Sequence, residues 1–239
     1  MLSMNDTIKA IDYFSKAIQM APNKAELAYQ KRGVCFFWFK KYNDALKDLN
    51  KAIELNHVDK EAYTYRYLIE EKKGDKISEI NDINIVLSLD SNDVHALNNR
   101  GLFCANSGDY YSALKDYDKA LSLDSSNSMT YNNRAMILED LDRLDLAIND
   151  FDKAIKIKPR EKLFYYNRGI AYGNHKMYKV AIRDLTTAKN LDPNNPKILK
   201  DRGVINYALN NTDSACKDWN ISANLGNQEA KEYLMKFCK

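Results

Sequence analysis

An arginine stands at Arg32, Arg66, Arg100, Arg134, Arg168 and Arg202, one every 34 residues, and an aspartate keeps the same step at Asp48, Asp82, Asp116, Asp150, Asp184 and Asp218. Small residues follow the same rhythm. Gly33, Gly101, Gly169 and Gly203 share one series with Tyr67 and Ala135, and Ala45, Ala113, Ala147, Ala181 and Ala215 share another with Glu79. The chain has only eight glycines, so four on one series is a pattern and not chance. A fixed period of this size means that one supersecondary unit is copied, and that each copy buries its apolar face against its neighbours. This constrains the fold more than the length of 239 residues does, since length alone would suggest one or two globular domains.

Each unit reads as two short amphipathic helices. In the first, they run through AYQKRGVCFFWFKK and YNDALKDLNKAIEL, with Gly33 and Ala45 as the small residues where they touch. The period divides the chain into six units: 26–59, 60–93, 94–127, 128–161, 162–195 and 196–229. Residues 1–25 hold a single helix, with Ile8, Ile11, Phe14, Ala17, Ile18 and Ala21 at helical spacing and Pro22 as its stop. It copies the second helix of a unit, so it is either a cap or what remains of a longer array. Residues 230–239 form a capping helix, with Ala230, Tyr233, Leu234 and Phe237 on one face. The second unit is the least regular. Tyr67, Glu79 and Val86 put bulk where the other copies have small residues, which predicts a wider helix pair and a local distortion.

Composition excludes several functions. Hydrophobic residues make up 45% and charged residues 29%, and no apolar run approaches the roughly 20 residues that span a bilayer. The N-terminus has no apolar stretch of the signal-peptide kind. A net charge of +3, with acids and bases interspersed, leaves no basic stripe for nucleic acid. The four cysteines, Cys35, Cys104, Cys216 and Cys238, lack CxxC spacing, which predicts reduced thiols, no disulfide, no zinc site and a cytoplasmic location. The histidines, His57, His95 and His175, fall in different units and in no catalytic motif, and there is no glycine-rich phosphate loop. These observations predict no enzyme, no metal and no cofactor.

Paired helices, the 34-residue period, small residues on facing helices and a closing proline together resemble the tetratricopeptide repeat family. The motif is matched in the fifth unit by Gly169, Tyr172, Tyr178, Ala181, Leu185, Ala188 and Pro193. The resemblance implies an all-α, right-handed superhelical solenoid of antiparallel helix pairs. It also implies that the first helix of each pair lines a concave groove for a peptide of a partner protein. Carried over, the groove candidates are Phe37, Trp38, Asn98, Asn99, Asn132, Asn133, Tyr166, Asn167, Asn174 and Lys200, with Met129, Met136, Leu163, Ile170, Val204 and Tyr207 beside them.

Asn99, Asn133 and Asn167 recur at the repeat step. Amides in a row can clamp a peptide backbone, because each both donates and accepts; similar rows hold peptides in the repeat domain of O-linked N-acetylglucosamine transferases. The alternative is that they are solvated residues of the repeat's local sequence. Phe37 and Trp38 read as interface anchors, or one of them as core packed on the N-terminal helix. The Lys and Asn positions of the family's clamp for chaperone C-terminal tails are not supplied in any register. The six arginines and six aspartates read as structural ion pairs between helices or neighbouring units. The implied function is a protein interaction scaffold, with self-assembly through the N-terminal helix, or the repeat domain of a larger enzyme, as alternatives.

Overall fold

The structure, a computed structural model, describes residues 4–238, and among them every regular element is an α-helix. One compact unit ends at Leu123 and a second begins at Asp124. The first contains α1 (Met4–Met20), α2 (Glu26–Trp38), α3 (Tyr42–Leu55), α4 (Lys60–Lys73), α5 (Lys76–Leu89), α6 (Val94–Asn106) and α7 (Tyr110–Leu123). The second contains α8 (Ser128–Asp140), α9 (Leu144–Ile157), α10 (Lys162–Asn174), α11 (Tyr178–Leu191), α12 (Pro196–Ala208), α13 (Thr212–Asn224) and α14 (Gln228–Phe237).

Helices start where a side chain can take up the unpaired N–H groups of the first turn. Asp59, Asp75, Asp93, Asn127, Asn195 and Asn227 each accept a backbone N–H from the residue three further on, or from its neighbour. Within each pair the chain reverses through one residue in the left-handed region. These residues are Lys40, Gly74, Gly108, Asp142, Lys176 and Asn210, with φ between 58° and 79°, and they too are 34 apart. Only two are glycine, so the repeat imposes this conformation on side chains that disfavour it.

The reversal makes each pair antiparallel. In α2 and α3, Phe37 lies beside Tyr42 near the turn and Arg32 meets Asp48 further from it. The helices approach closely because bulk on one is matched by its absence on the other. A Cβ added to Gly169 would come within 3.0 Å of Leu185, one on Gly101 within 2.7 Å of Tyr117, and one on Gly203 within 2.4 Å of Trp219. The alanines Ala45, Ala113, Ala147, Ala181 and Ala215 are all fully buried.

The same arginine and aspartate fasten every pair. Nε and Nη2 of Arg32, Arg66, Arg100, Arg134, Arg168 and Arg202 donate to both carboxylate oxygens of Asp48, Asp82, Asp116, Asp150, Asp184 and Asp218, at 2.6–2.9 Å. The aspartates are buried and the arginines partly so. A bidentate bond to a buried carboxylate is stronger than the exposed pair that the sequence alone would price at about 0–1 kcal/mol. The remaining Nη1 reaches the second helix of the preceding pair: Arg32 to Ser15 at 3.0 Å, Arg66 to Asn50 at 2.7 Å, Arg168 to Asp152, and Arg202 to Thr186 at 3.4 Å. One side chain thus ties three helices.

The pair α4/α5 keeps its bridge at 2.6 and 2.7 Å, so the widening expected there is not seen at that level. Tyr67 and Ile83 are both enclosed in the core of this region. The cysteine expectation is corrected. Cys216 and Cys238 are joined in a disulfide, with Cα atoms 5.8 Å apart, while Cys35 and Cys104 are free. The two sit at equal distances along the chain from the α13–α14 turn at Gly226–Asn227, and folding α14 back on α13 brings them together. The sequence argument for a reducing compartment falls with it.

Candidate peptide-binding surface

In the first unit the groove candidates lie on α2, α4 and α6, and most are engaged within the fold. Phe37 is partly buried against Tyr65 of α4, ring centroids 5.2 Å apart, and against Tyr42. It is therefore a core residue, packed on the following helix pair. Trp38 is 61% exposed, with its ring edge-on to Phe37 at a centroid distance of 5.4 Å. Burial pushes the Tyr67 pKa up to about 12, and the neighbouring Asn99 offsets this in part. Lys31 on α2 meets Glu61 on α4 at 2.7 Å. A cavity of about 330 Å³ opens beside Asn99 and Asn106, with Leu102 and Phe103 as its apolar wall and Glu71, Lys76 and Glu79 at its polar side.

In the second unit α8, α10 and α12 present the candidates, and a polar ladder joins them. The Asn167 amide donates to Asn132 Oδ1 at 2.9 Å, and Asn174 donates to Glu139 at 3.0 Å. The Tyr166 hydroxyl donates to Asp201 at 2.7 Å; burial, then this bond, raise its pKa well above the usual phenol range. Asn132, expected on the groove, is 1% exposed, and this corrects that assignment. Its own amide points to Asn133 Oδ1 at 3.3 Å and its oxygen is closed over by Asn167, so it supports the surface from below. Lys200 pairs with Asp201 at 2.9 Å and with Glu229 of α14 at 3.0 Å. Asn98 is half-buried, and the Asn133 and Asn167 side chains are partly exposed.

Apolar atoms lie between these rungs. Met129, Met136, Val204 and Tyr207 are 38–46% exposed, all on the first helices of their pairs, with Leu163 and Ile170 partly buried between them. The surface is therefore mixed: exposed thioether, valine and tyrosine carbon beside amides already held in place. Among the described residues no group of histidines, cysteines or carboxylates could hold a metal ion, and no helix is long and apolar enough to cross a membrane.

Sequence reasoning missed the disulfide, the two-way reach of each arginine, and Glu70. Glu70 stands on the series of Phe36, Leu138 and Tyr172, and its carboxyl is almost enclosed with Oε2 lacking a partner. Burial, then Asp82, push its pKa up to about 7, and Arg66 at 3.9 Å offsets this only in part. The same series carries Cys104 and Asn206, and Glu70 is its one acid, which was the signal available.

The architecture is that of an all-α helical-repeat protein built from antiparallel pairs. A tetratricopeptide repeat family model matches residues 94–127 and 128–161, the third and fourth units at the boundaries given by the period, and these two units are tetratricopeptide repeats. A curated relative, heat shock protein STI1 of Saccharomyces cerevisiae, is 37% identical over 51 residues, which is 21% of this chain and 9% of that protein. The fold is shared with solved structures of low identity. Cut9, in a complex with Hcn1, matches with a TM-score of 0.76 at 16% identity over 98% of this chain, which spans 46% of the Cut9 chain. PilF of Pseudomonas aeruginosa matches with a TM-score of 0.73 at 17% identity, over 88% of this chain and 97% of its own. YrrB, a tetratricopeptide repeat protein, matches with a TM-score of 0.67 at 19% identity, over 78% of this chain and 95% of its own.

Proposed function

We propose that this chain is a protein interaction scaffold, and that the first helices of its second unit hold a peptide segment of a partner protein. The observation that carries the reading is the exposed apolar strip of Met129, Met136, Val204 and Tyr207 on the first helices of their pairs. Methionine adapts to varied apolar partners, and tyrosine anchors interfaces. Asn133 and Asn167, already oriented by their neighbours, would meet the peptide backbone with less ordering cost than solvated amides. YrrB, described as having an unusual peptide-binding site, and the Cut9–Hcn1 assembly support a role in protein binding.

Selection of peptides from a random library on the intact chain tests the proposal, followed by hydrogen exchange of the complex. Protection is expected on α8, α10 and α12. Peptides that protect only α9, α11 and α13, or a selection that yields none, would contradict it. Association of copies through α1 is a second reading, favoured by Ile8, Tyr13 and Met20, which are 55%, 69% and 87% exposed. It predicts a mass that rises with concentration in light scattering.

A further inference from the structure

We propose that the Cys216–Cys238 disulfide is a redox latch on α14, and that its reduction releases this helix from the end of the peptide-binding surface. The helix is held by three kinds of contact. Tyr233 and Phe237 pack on Trp219, with centroids 5.2 and 5.9 Å apart, and Phe237 lies 4.7 Å from Tyr207 of α12. Glu229 pairs with Lys200 of α12 at 3.0 Å, and the disulfide ties the residue after the helix to α13. Two of the surface candidates, Lys200 and Tyr207, are therefore covered in part by the chain's own last helix.

The covalent tie matters because the helix is short. The helix has ten residues, and a helix of that length is marginal in water without tertiary support. On its outer side Met235 is 75% exposed. The disulfide closes a separation of 22 residues, and removing such a tie returns freedom to the segment it spans.

Cys216 and Cys238 are both partly exposed residues. The thiolate of an external dithiol attacks one sulfur, and the S–S bond breaks as the other sulfur leaves as a thiolate and takes a proton. The reagent's second thiol then displaces the first cysteine from the mixed disulfide; two cysteine thiols result and the dithiol ends as its cyclic disulfide. Cys35 and Cys104 compete poorly, because burial raises both thiols and lowers their thiolate fraction.

The consequence for binding rests on the proposed peptide surface; the release of α14 does not. Hydrogen exchange of the intact chain, with and without dithiothreitol, tests the release directly. Exchange in residues 228–237 is expected to rise about tenfold or more on reduction, while α4 to α7 are unchanged. The Cys216→Ser/Cys238→Ser variant should show the fast exchange without reductant; if it fails to fold, native chain reduced and alkylated with iodoacetamide takes its place. Equal protection of α14 in both redox states overturns the latch, as does a count of four thiols after equilibration with oxidised glutathione. If the peptide surface alone is wrong, α14 still opens on reduction and selected peptides bind elsewhere; if the latch alone is wrong, peptides bind α8, α10 and α12 with α14 fixed.

Discussion

The pairs α4/α5 and α10/α11 carry the same bridge on different packing. Arg66–Asp82 and Arg168–Asp184 agree within 0.1 Å in both bonds, yet one pair has Tyr67, Glu79 and Val86 where the other has Gly169, Ala181 and Ala188. In α10/α11 the backbones meet over a glycine and two buried alanines. In α4/α5 a fully enclosed tyrosine fills the space, Glu79 is buried with its carboxylate on Lys76 at 2.7 Å, and a second acid, Glu70, is enclosed beside Asp82. The bridge fixes how the helices align, and the filling between them can vary.

This contrast can be tested by substitution. Tyr67→Ala should have the largest effect, about 3–5 kcal/mol, because the bridge holds the helices in place around the cavity; a loss under 1 kcal/mol in a denaturant titration would show that the pair collapses instead. Arg66→Ala and Arg168→Ala should each cost about 1.5–3 kcal/mol, by stranding a buried carboxylate. Similar values are expected in the two pairs, and a wide difference would break the claim that the bridge is independent of the filling.

Glu70 has no counterpart in α10/α11, so only the first unit should respond to pH through it. Its folded pKa of about 7 lies above the ordinary 4.5, so the folded state keeps a proton that the unfolded chain releases. Stability from this group is full below pH 4.5 and is lost as pH rises to about 7. A fall of about 1–2 kcal/mol across that window is expected, with Arg66 and solvent screening offsetting the rest. Thermal melts of Glu70→Gln should lack this component; an unchanged pH profile would remove Glu70 as its source. The smallest effect concerns the turns. Gly74 already suits the left-handed region, whereas Lys176 does not, so Lys176→Gly should stabilise by about 0.5–1 kcal/mol at φ 61°.

Most of the fold was legible because its determinants are local and repeated. Arg168, Asp184, Gly169 and Ala181 each lie on a 34-residue series, and a contact made once is made in every copy. Features carried by one copy were not legible. Burial of Asn132 depends on how α10 closes over α8, the fate of Phe37 on Tyr65 from the next pair, and the Cys216–Cys238 bond on a turn at Gly226. The turn series from Lys40 to Asn210 carries glycine only at Gly74 and Gly108, so the period in residue type does not reveal it. Of the asparagines predicted to line the groove, Asn99, Asn133 and Asn167 are all partly exposed, Asn99 in the first unit beside a cavity and the other two in the second unit.

Two residues on one helix give the most direct test of the division between architecture and binding surface. Val204 is 38% exposed on α12, and Arg202 on the same helix bridges Asp218 at 2.6 Å. Affinity for a selected peptide and melting temperature should be measured together for both variants. Val204→Asp is expected to weaken binding about tenfold or more with the melting temperature nearly unmoved, and Arg202→Ala to lower the melting temperature. Full affinity in Val204→Asp, or a loss that only tracks lost stability, would contradict the assignment of this surface to a partner.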